Sequence, residues 1–82
     1  MKQTTEEIKL LDVVALLVDV PRHDLRRGDV GTVVEVFETT EHHPRGYIVE
    51  FVEKDGSTRA LLDVTDAADI MPLHFRLSRE AA

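Results

Sequence analysis

The stretch RRGDVGTVVEV, residues 26–36, places Gly28 and Gly31 three positions apart, directly ahead of a run of valines. Glycine adopts backbone conformations that other residues avoid, and it leaves space where two chain segments approach closely. Valine favours extended strands. The stretch therefore predicts a sharp turn at residues 27–29 that leads into a strongly bent strand, with Gly31 at the tight corner of a small β-barrel. A binding loop is the other interpretation of the same glycines.

Short strands separated by turn residues account for most of the chain. The predicted strands are residues 10–20, 30–38, 47–53, 58–64 and 70–73. The pair Asp55-Gly56 is typical of a tight hairpin, and residues 65–69 predict a helical or 3-10 turn capped by Thr65 or Asp66. This order predicts a mainly β fold, a small five-stranded SH3-like barrel with a 3-10 turn before the last strand. We expect one domain over residues 1–82, comprising an N-terminal extension (1–9), the barrel (10–73) and a C-terminal tail (74–82).

The side-chain pattern of the strands predicts the core. Alternate positions of a strand face opposite sides, so we expect Val34, Val49 and Phe51 to be buried. The first strand is apolar at both parities, which indicates that both of its faces are covered. Phe75 and Leu77 add apolar side chains beyond the last strand. The termini of the chain, a second copy or another protein are the candidates for this cover.

Charge and cysteine content limit the function. The chain of 82 residues carries 16 acidic and 10 basic side chains, a net charge of −6, and no cysteine. A disulfide framework and a thiolate metal site are therefore excluded, and the acidic balance argues against nucleic acid, because affinity for phosphate comes mainly from lysine and arginine. The first nine residues lack the pattern of a signal peptide, and the longest apolar run, residues 13–18, is far shorter than the about 20 residues of a membrane helix. We expect a cytoplasmic protein without membrane contact.

Four stretches together resemble a known family. They are LDVVALLVDVP, LRRGDVGTVVEVFE, YIVEFVEKDGSTRALLDV and IMPL. Over residues 10–73 the chain resembles the small bacterial proteins catalogued as domain of unknown function 4926. The resemblance implies an SH3-like barrel without an established activity, and the position of some members beside candidate toxin or nuclease genes implies an antitoxin-like or immunity-like partner. The segment TTEHHP, residues 39–44, is longer than is usual in that family.

A basic patch inside the acidic chain marks the candidate site. The polar loop 20–29 carries several cationic side chains around one apolar residue, Leu25. We expect Leu25 to anchor the loop over the barrel end, the charged residues to bind a partner, and Tyr47 to lie beside them. The predicted partner-binding residues are Arg22, His23, Leu25, Arg26, Arg27 and Tyr47.

The expected function is a non-catalytic protein-interaction module, an accessory or antitoxin-like partner of an enzyme. A barrel of this length offers little concave volume for catalysis, and we predict no catalytic residue and no cofactor. No metal ligand is predicted either, because His23, His42, His43 and His74 lack the spacing of a zinc site. Two alternatives stay open. One is a KOW-like nucleic-acid-associated module, because GDVGTVVEV resembles the KOW motif, and the other is a homo-oligomer with a ligand site between copies.

Overall fold

The computed structural model describes residues 7–74, which form five strands and two 3-10 turns. The strands are β1 (Val13–Leu16), β2 (Val30–Phe37), β3 (Gly46–Val52), β4 (Thr58–Val64) and β5 (Ile70–Pro72). The 3-10 turns are Pro21–His23 and Ala67–Asp69. Most of the predicted extension and tail, with Phe75 and Leu77, lies outside the described residues. No helix within residues 7–74 is long and apolar enough to span a bilayer.

All five strands belong to one antiparallel sheet with the order β4-β3-β2-β1-β5. The central strand β2 pairs at its start with β1, where Thr32 lies opposite Val13, and along most of its length with β3. The strand β5 follows the second 3-10 turn directly and pairs with β1. Over the described residues β4 and β5 do not pair with each other, so the sheet is open at these two strands. The predicted fold class is confirmed: mainly β, five strands, and a 3-10 turn before the last one.

Local sequence signals explain the turns. Gly56 has a φ of +89° in the turn between β3 and β4, and both the backbone N–H and the hydroxyl of Ser57 donate to Asp55 Oδ1, at 2.9 and 2.7 Å. Such a left-handed conformation favours glycine. The second 3-10 turn is capped by Asp66, whose Oδ1 accepts from the Ala68 N–H at 2.9 Å, as one of the two predicted caps. The hairpin and cap predictions are therefore confirmed.

Gly31 lies at a close approach of β2 to β3. A Cβ atom at this position would lie 2.7 Å from the Glu50 carbonyl oxygen, 2.8 Å from Val49 Cγ1 and 2.9 Å from Phe51 Cε2. Only glycine fits such spacing without a shift of the neighbouring strand. The prediction that the backbone packs too closely at Gly31 for a side chain is confirmed, and Gly28, with a φ of +97°, forms the turn before it.

A β-bulge in β2 corrects one core prediction. Val49 and Phe51 are buried as expected, but Val34 is only half-buried, whereas Val33 is completely buried. The cross-strand partners are Val33 with Val49 and then Glu35 with Ile48, so Val34 is the extra residue of the bulge. An extra residue exchanges the two faces of the strand beyond it. The assignment of Val34 to the core was therefore wrong, and Val33 occupies that place.

The strand β1 is shorter than predicted. It ends at Leu16, and Leu17 and Val18 are exposed because the chain leaves the sheet there. Within the strand the apolar pattern holds at both parities: Val14 and Leu16 lie in the core, and Ala15, facing the other side, is also buried.

Candidate interaction surface around the first loop

The chain from residue 17 to residue 29, between β1 and β2, is called the first loop here. Val20 and Leu25 form an isolated bridge, with N–H to carbonyl distances of 2.9 and 3.1 Å in the two directions. The 3-10 turn Pro21–His23 lies between them, and Asp24 ends it with a φ of 58°. Leu25 is 2 % exposed and belongs to the core, which confirms its predicted anchoring role. The first loop is thus a folded element that packs onto the sheet.

Backbone bonds fasten the first loop to the rest of the fold. The Gly28 N–H donates to the Leu16 carbonyl at 2.8 Å, and the Leu16 N–H donates to the Asp29 carbonyl at 2.9 Å. At the start of the loop, the Leu17 N–H donates to the Asp69 carbonyl of the second 3-10 turn at 2.8 Å. Because both ends of the loop are held, its side chains are presented from a fixed backbone.

The carboxylates of the first loop are engaged in holding the loop together. Asp29 Oδ2 accepts from the Arg26 backbone N–H, and Asp19 Oδ1 accepts from the Arg27 backbone N–H, each at 2.9 Å. Asp24 Oδ2 pairs with Arg59 Nη2 of β4 at 3.0 Å, and the same nitrogen donates to the Asp24 carbonyl at 2.9 Å. These three carboxylates therefore form no direct ion pair with the arginines of the loop.

The guanidinium groups of Arg22, Arg26 and Arg27 are exposed. Within residues 7–74 none of the three takes part in a side-chain hydrogen bond or an ion pair. A charged group on the surface that has no partner in its own chain is free to bind an external one. These three exposed guanidinium groups, which have no side-chain partner within residues 7–74, are called the cationic edge; the first loop that carries them also contains Asp19, Asp24 and Asp29.

The other predicted site residues have different environments. His23 is half-buried, and Leu25 and Tyr47 are buried, so neither of the last two offers a side chain to a partner. Tyr47 lies at the beginning of β3, opposite Val36 of β2, and its side chain packs in the core. The set predicted from the sequence therefore divides into three exposed arginines, one half-buried histidine and two core residues.

Tyr47 contributes to a clamp that the sequence did not reveal. Arg45 Nε donates to the Tyr47 hydroxyl at 3.1 Å, and the guanidinium carbon lies 5.6 Å from the ring centroid. Arg45 Nη1 also donates to Glu38 Oε1 at 2.6 Å, and Arg45 Nη2 donates to the Ile8 carbonyl at 2.9 Å. The hydrogen bond with Tyr47 is the main cause that raises the pKa of Arg45. This clamp joins the N-terminal segment to the turn between β2 and β3.

A groove separates the first loop from the end of β4. Its volume is about 280 Å³, and it is lined by residues 18–22 on one side, by residues 62–65 on the other, and by Leu16 and Asp69. The residues that line the groove include three aspartates, Asp19, Asp63 and Asp69, and one arginine, Arg22. Sequence reasoning missed Asp63 and Asp69, because no pattern in the sequence shows that the first loop packs beside the end of β4.

The histidines do not assemble into a metal centre in the part of the chain that is described. Over residues 7–74 no three His, Cys, Asp or Glu side chains are grouped so that they could hold a metal ion. The backbone N–H groups of His42 and His43 both donate to Thr40 Oγ1, at 3.1 and 3.2 Å, which gives this segment a structural role in the turn between β2 and β3.

Comparison with known proteins gives one match. Neither the curated proteins nor the solved structures contain a significant match to the chain. A family model described as "Domain of unknown function (DUF4926)" matches residues 10–72, which include every strand and the first loop. The chain therefore belongs to the DUF4926 family.

Proposed function

We propose that this protein is a non-catalytic interaction module, an accessory or antitoxin-like partner of an enzyme, and that it binds its partner protein through the first loop. The observation that carries the proposal is the cationic edge formed by Arg22, Arg26 and Arg27, whose guanidinium groups have no partner within residues 7–74. Arginine is enriched at protein interfaces and at the few positions that dominate binding energy. A loop that is already ordered loses little conformational entropy on binding, which favours affinity.

A protein partner suits this surface better than a nucleic acid. Three arginines are few against the repulsion between phosphate and a protein of net charge −6. Binders of single strands also use exposed aromatic rings as stacking platforms. Tyr47 and Phe51 are buried. Phe37 is the last residue of β2, at the end of the strand that lies away from the first loop. No aromatic ring within residues 7–74 therefore stands exposed beside the arginines.

The test is affinity capture from a nuclease-treated lysate of the source cell, followed by mass spectrometry and by titration calorimetry with the captured protein. The double variant Arg26→Ala/Arg27→Ala is compared with the wild type and with Lys9→Ala/Lys54→Ala. The control removes the same charge from exposed positions outside the first loop. We expect a stoichiometric partner that the wild type and the control retain, and whose affinity for the arginine variant falls about tenfold or more. Inhibition of an enzymatic activity of the partner would support the antitoxin-like role.

Two outcomes would contradict the proposal. In a parallel capture from an untreated lysate, nucleic acid that is bound and then removed by nuclease would favour the KOW-like module, and steep weakening of that binding with salt would support it. Capture of a protein that binds the arginine variant and the wild type equally would remove the first-loop arginines from the interface.

Exposed apolar side chains on the outward face of the sheet favour self-association as a second candidate. Ala15 of β1 has Val30 of β2 as its cross-strand partner on one side and Met71 of β5 on the other. Val30 and Val52 line one shallow depression. Met71, Val30 and Val52 are each about half exposed. Light scattering coupled to gel filtration tests this candidate: a dimer that Val30→Asp dissociates would support it, and a monomer at high concentration would eliminate it.

A further inference from the structure

Among residues 7–74 the strand β4 has one edge without a backbone partner. It is the last strand of the sheet formed by these residues, and within them it pairs with β3 alone. Within residues 7–74 no further backbone hydrogen bond joins β4 to the first loop or to any other element. The outer edge of β4 therefore presents alternate N–H and C=O groups that another extended chain can pair with.

This edge borders the groove described above. Leu62 and Val64 are buried in the core, yet they also line the groove from the β4 side, together with Asp63 and Thr65. The opposite wall is the first-loop segment 18–22, which includes Pro21 and hence a position without an N–H. The loop thus stands beside β4 without forming a ladder with it, and the space between them, about 280 Å³, is lined on the β4 side by the four consecutive residues 62–65.

The charge of the groove selects among possible occupants. The ionisable residues that line it are Asp19, Asp63 and Asp69 and one cation, Arg22, a formal excess of negative charge. The carboxylates of Asp63 and Asp69 have no hydrogen bond or ion pair within residues 7–74, and Asp19 accepts only from the Arg27 backbone N–H. The carboxylates do not form a group that could hold a metal ion in the described part of the chain. A negatively charged groove without a metal geometry fits an extended ligand with separate positive charges, and it repels phosphate.

We propose that the groove accepts a short extended segment of the partner protein, carrying lysine or arginine, which adds to the β4 edge as a further strand. This inference rests on the proposed function and names the chemistry of the segment that is bound. In such strand addition, main-chain hydrogen bonds supply affinity and alternate side chains supply specificity. Here the acidic side chains of the groove select basic residues of the segment. Asp19, which lines the groove, accepts a hydrogen bond from the Arg27 backbone N–H at 2.9 Å. The groove and the cationic edge are therefore neighbours, and one partner can contact both.

The test uses a defined peptide and the full chain labelled with nitrogen-15. The probe is an acetylated, amidated hexapeptide of alternating valine and lysine, and the first control is the same peptide with glutamate in place of lysine. The second control is the lysine peptide with alternate backbone nitrogens methylated, which keeps the charge but cannot form a strand ladder. We expect the lysine peptide to shift amide resonances mainly at residues 18–22 and 62–65, with an affinity that falls as salt is added, and both control peptides to bind more weakly.

Variants of the protein complete the test. Asp63→Asn/Asp69→Asn is expected to weaken the lysine peptide about threefold or more, since exposed ion pairs contribute modestly. The matched control Glu35→Gln/Glu41→Gln removes the same charge at exposed positions outside the groove and is expected to leave the affinity unchanged. Shifts located away from the groove, equal binding of the glutamate or methylated peptide, or equal affinity of both double variants would overturn the inference.

The two proposals can fail separately. A partner that is captured in an Arg26- and Arg27-dependent manner, together with no peptide shifts in the groove, would refute the groove inference alone. Peptide binding in the groove without any captured partner protein would support the groove as a site and count against the proposed use of the first-loop arginines.

Discussion

Replacement of Gly31 by alanine is the sharpest test of the fold. The φ of Gly31 lies outside the left-handed region, so the backbone itself accepts alanine and only the space for the Cβ is at issue. That Cβ would meet the Glu50 carbonyl oxygen at 2.7 Å and two core side-chain atoms below 3.0 Å. The carbonyl belongs to the β3 backbone and cannot rotate away, so β2 and β3 have to separate.

The magnitude follows from two opposing effects. Overpacking of a well-packed core costs about 1–3 kcal/mol. Replacing glycine by alanine also restricts the unfolded chain, which returns about 0.4–1 kcal/mol. We expect Gly31→Ala to lower the free energy of unfolding by about 1–2 kcal/mol. For a domain of this size each kcal/mol lowers the melting temperature by about 4–8 °C.

Urea and thermal denaturation followed by circular dichroism measure the effect, with two comparison variants. Gly46→Ala is the matched control, because its Cβ would meet only the Val64 carbonyl oxygen, at 3.4 Å, and we expect little change. Phe51→Ala, which removes a ring that is 2 % exposed, is expected to cost about 3–5 kcal/mol and sets the scale for loss of the core. If Gly31→Ala were as stable as Gly46→Ala, the close approach of β2 to β3 would be refuted.

Three further predictions concern the bulge, the clamp and the hairpin. Val33→Ala is expected to lower the free energy of unfolding, measured by urea denaturation, by about 1–3 kcal/mol. Val34→Ala is expected to lower it clearly less, because Val33 is completely buried and Val34 is not. The reverse order would disprove the position of the bulge. Arg45→Lys keeps the positive charge but is expected to lower the melting temperature, because lysine lacks the planar guanidinium that reaches several acceptors at once. A melting curve equal to that of the wild type would contradict the clamp. Hydrogen bonds from Ser57 lower the pKa of Asp55 below its ordinary 3.8. The ionised carboxylate therefore stabilises the folded state above pH 3.8, and this stabilisation is lost as the pH falls through the lower pKa of the folded state. Melting curves of wild type and Asp55→Asn between neutral and acidic pH should therefore converge at the acidic end, and a constant difference would argue against this linkage.

The local part of the candidate site was predictable. Arginines grouped in a polar stretch near a proline and a glycine indicate an exposed loop, and Arg22, Arg26 and Arg27 are exposed as this predicts. What the sequence could not supply is the pairing state of these arginines. Asp24 is a near neighbour in sequence, but its carboxylate pairs with Arg59 of β4, 35 positions away. Ion pairs depend on distance in space, so composition alone does not decide which charges remain free.

The groove could not be predicted for a related reason. Asp19 and Asp63 lie on different elements, and they line the same groove only because the first loop packs beside β4. Tyr47 illustrates the opposite case: an isolated tyrosine was expected near the arginines, yet its place on the buried face of β3 puts it in the core. Position along a strand predicts the face of a side chain but not the loop that will cover it.

The sequence by itself determined the number and order of the strands, the Asp55-Gly56 turn and the cap at Asp66. These features follow from backbone sterics and side-chain alternation, which act between neighbours in the chain. Only the tertiary structure decided that Val33 rather than Val34 enters the core, that β3 leaves no room for a side chain at Gly31, and that Asp19 and Asp63 line one groove. All three depend on strand register and on the packing of distant segments, because a shift of one residue exchanges the two faces of a strand while the local sequence stays the same.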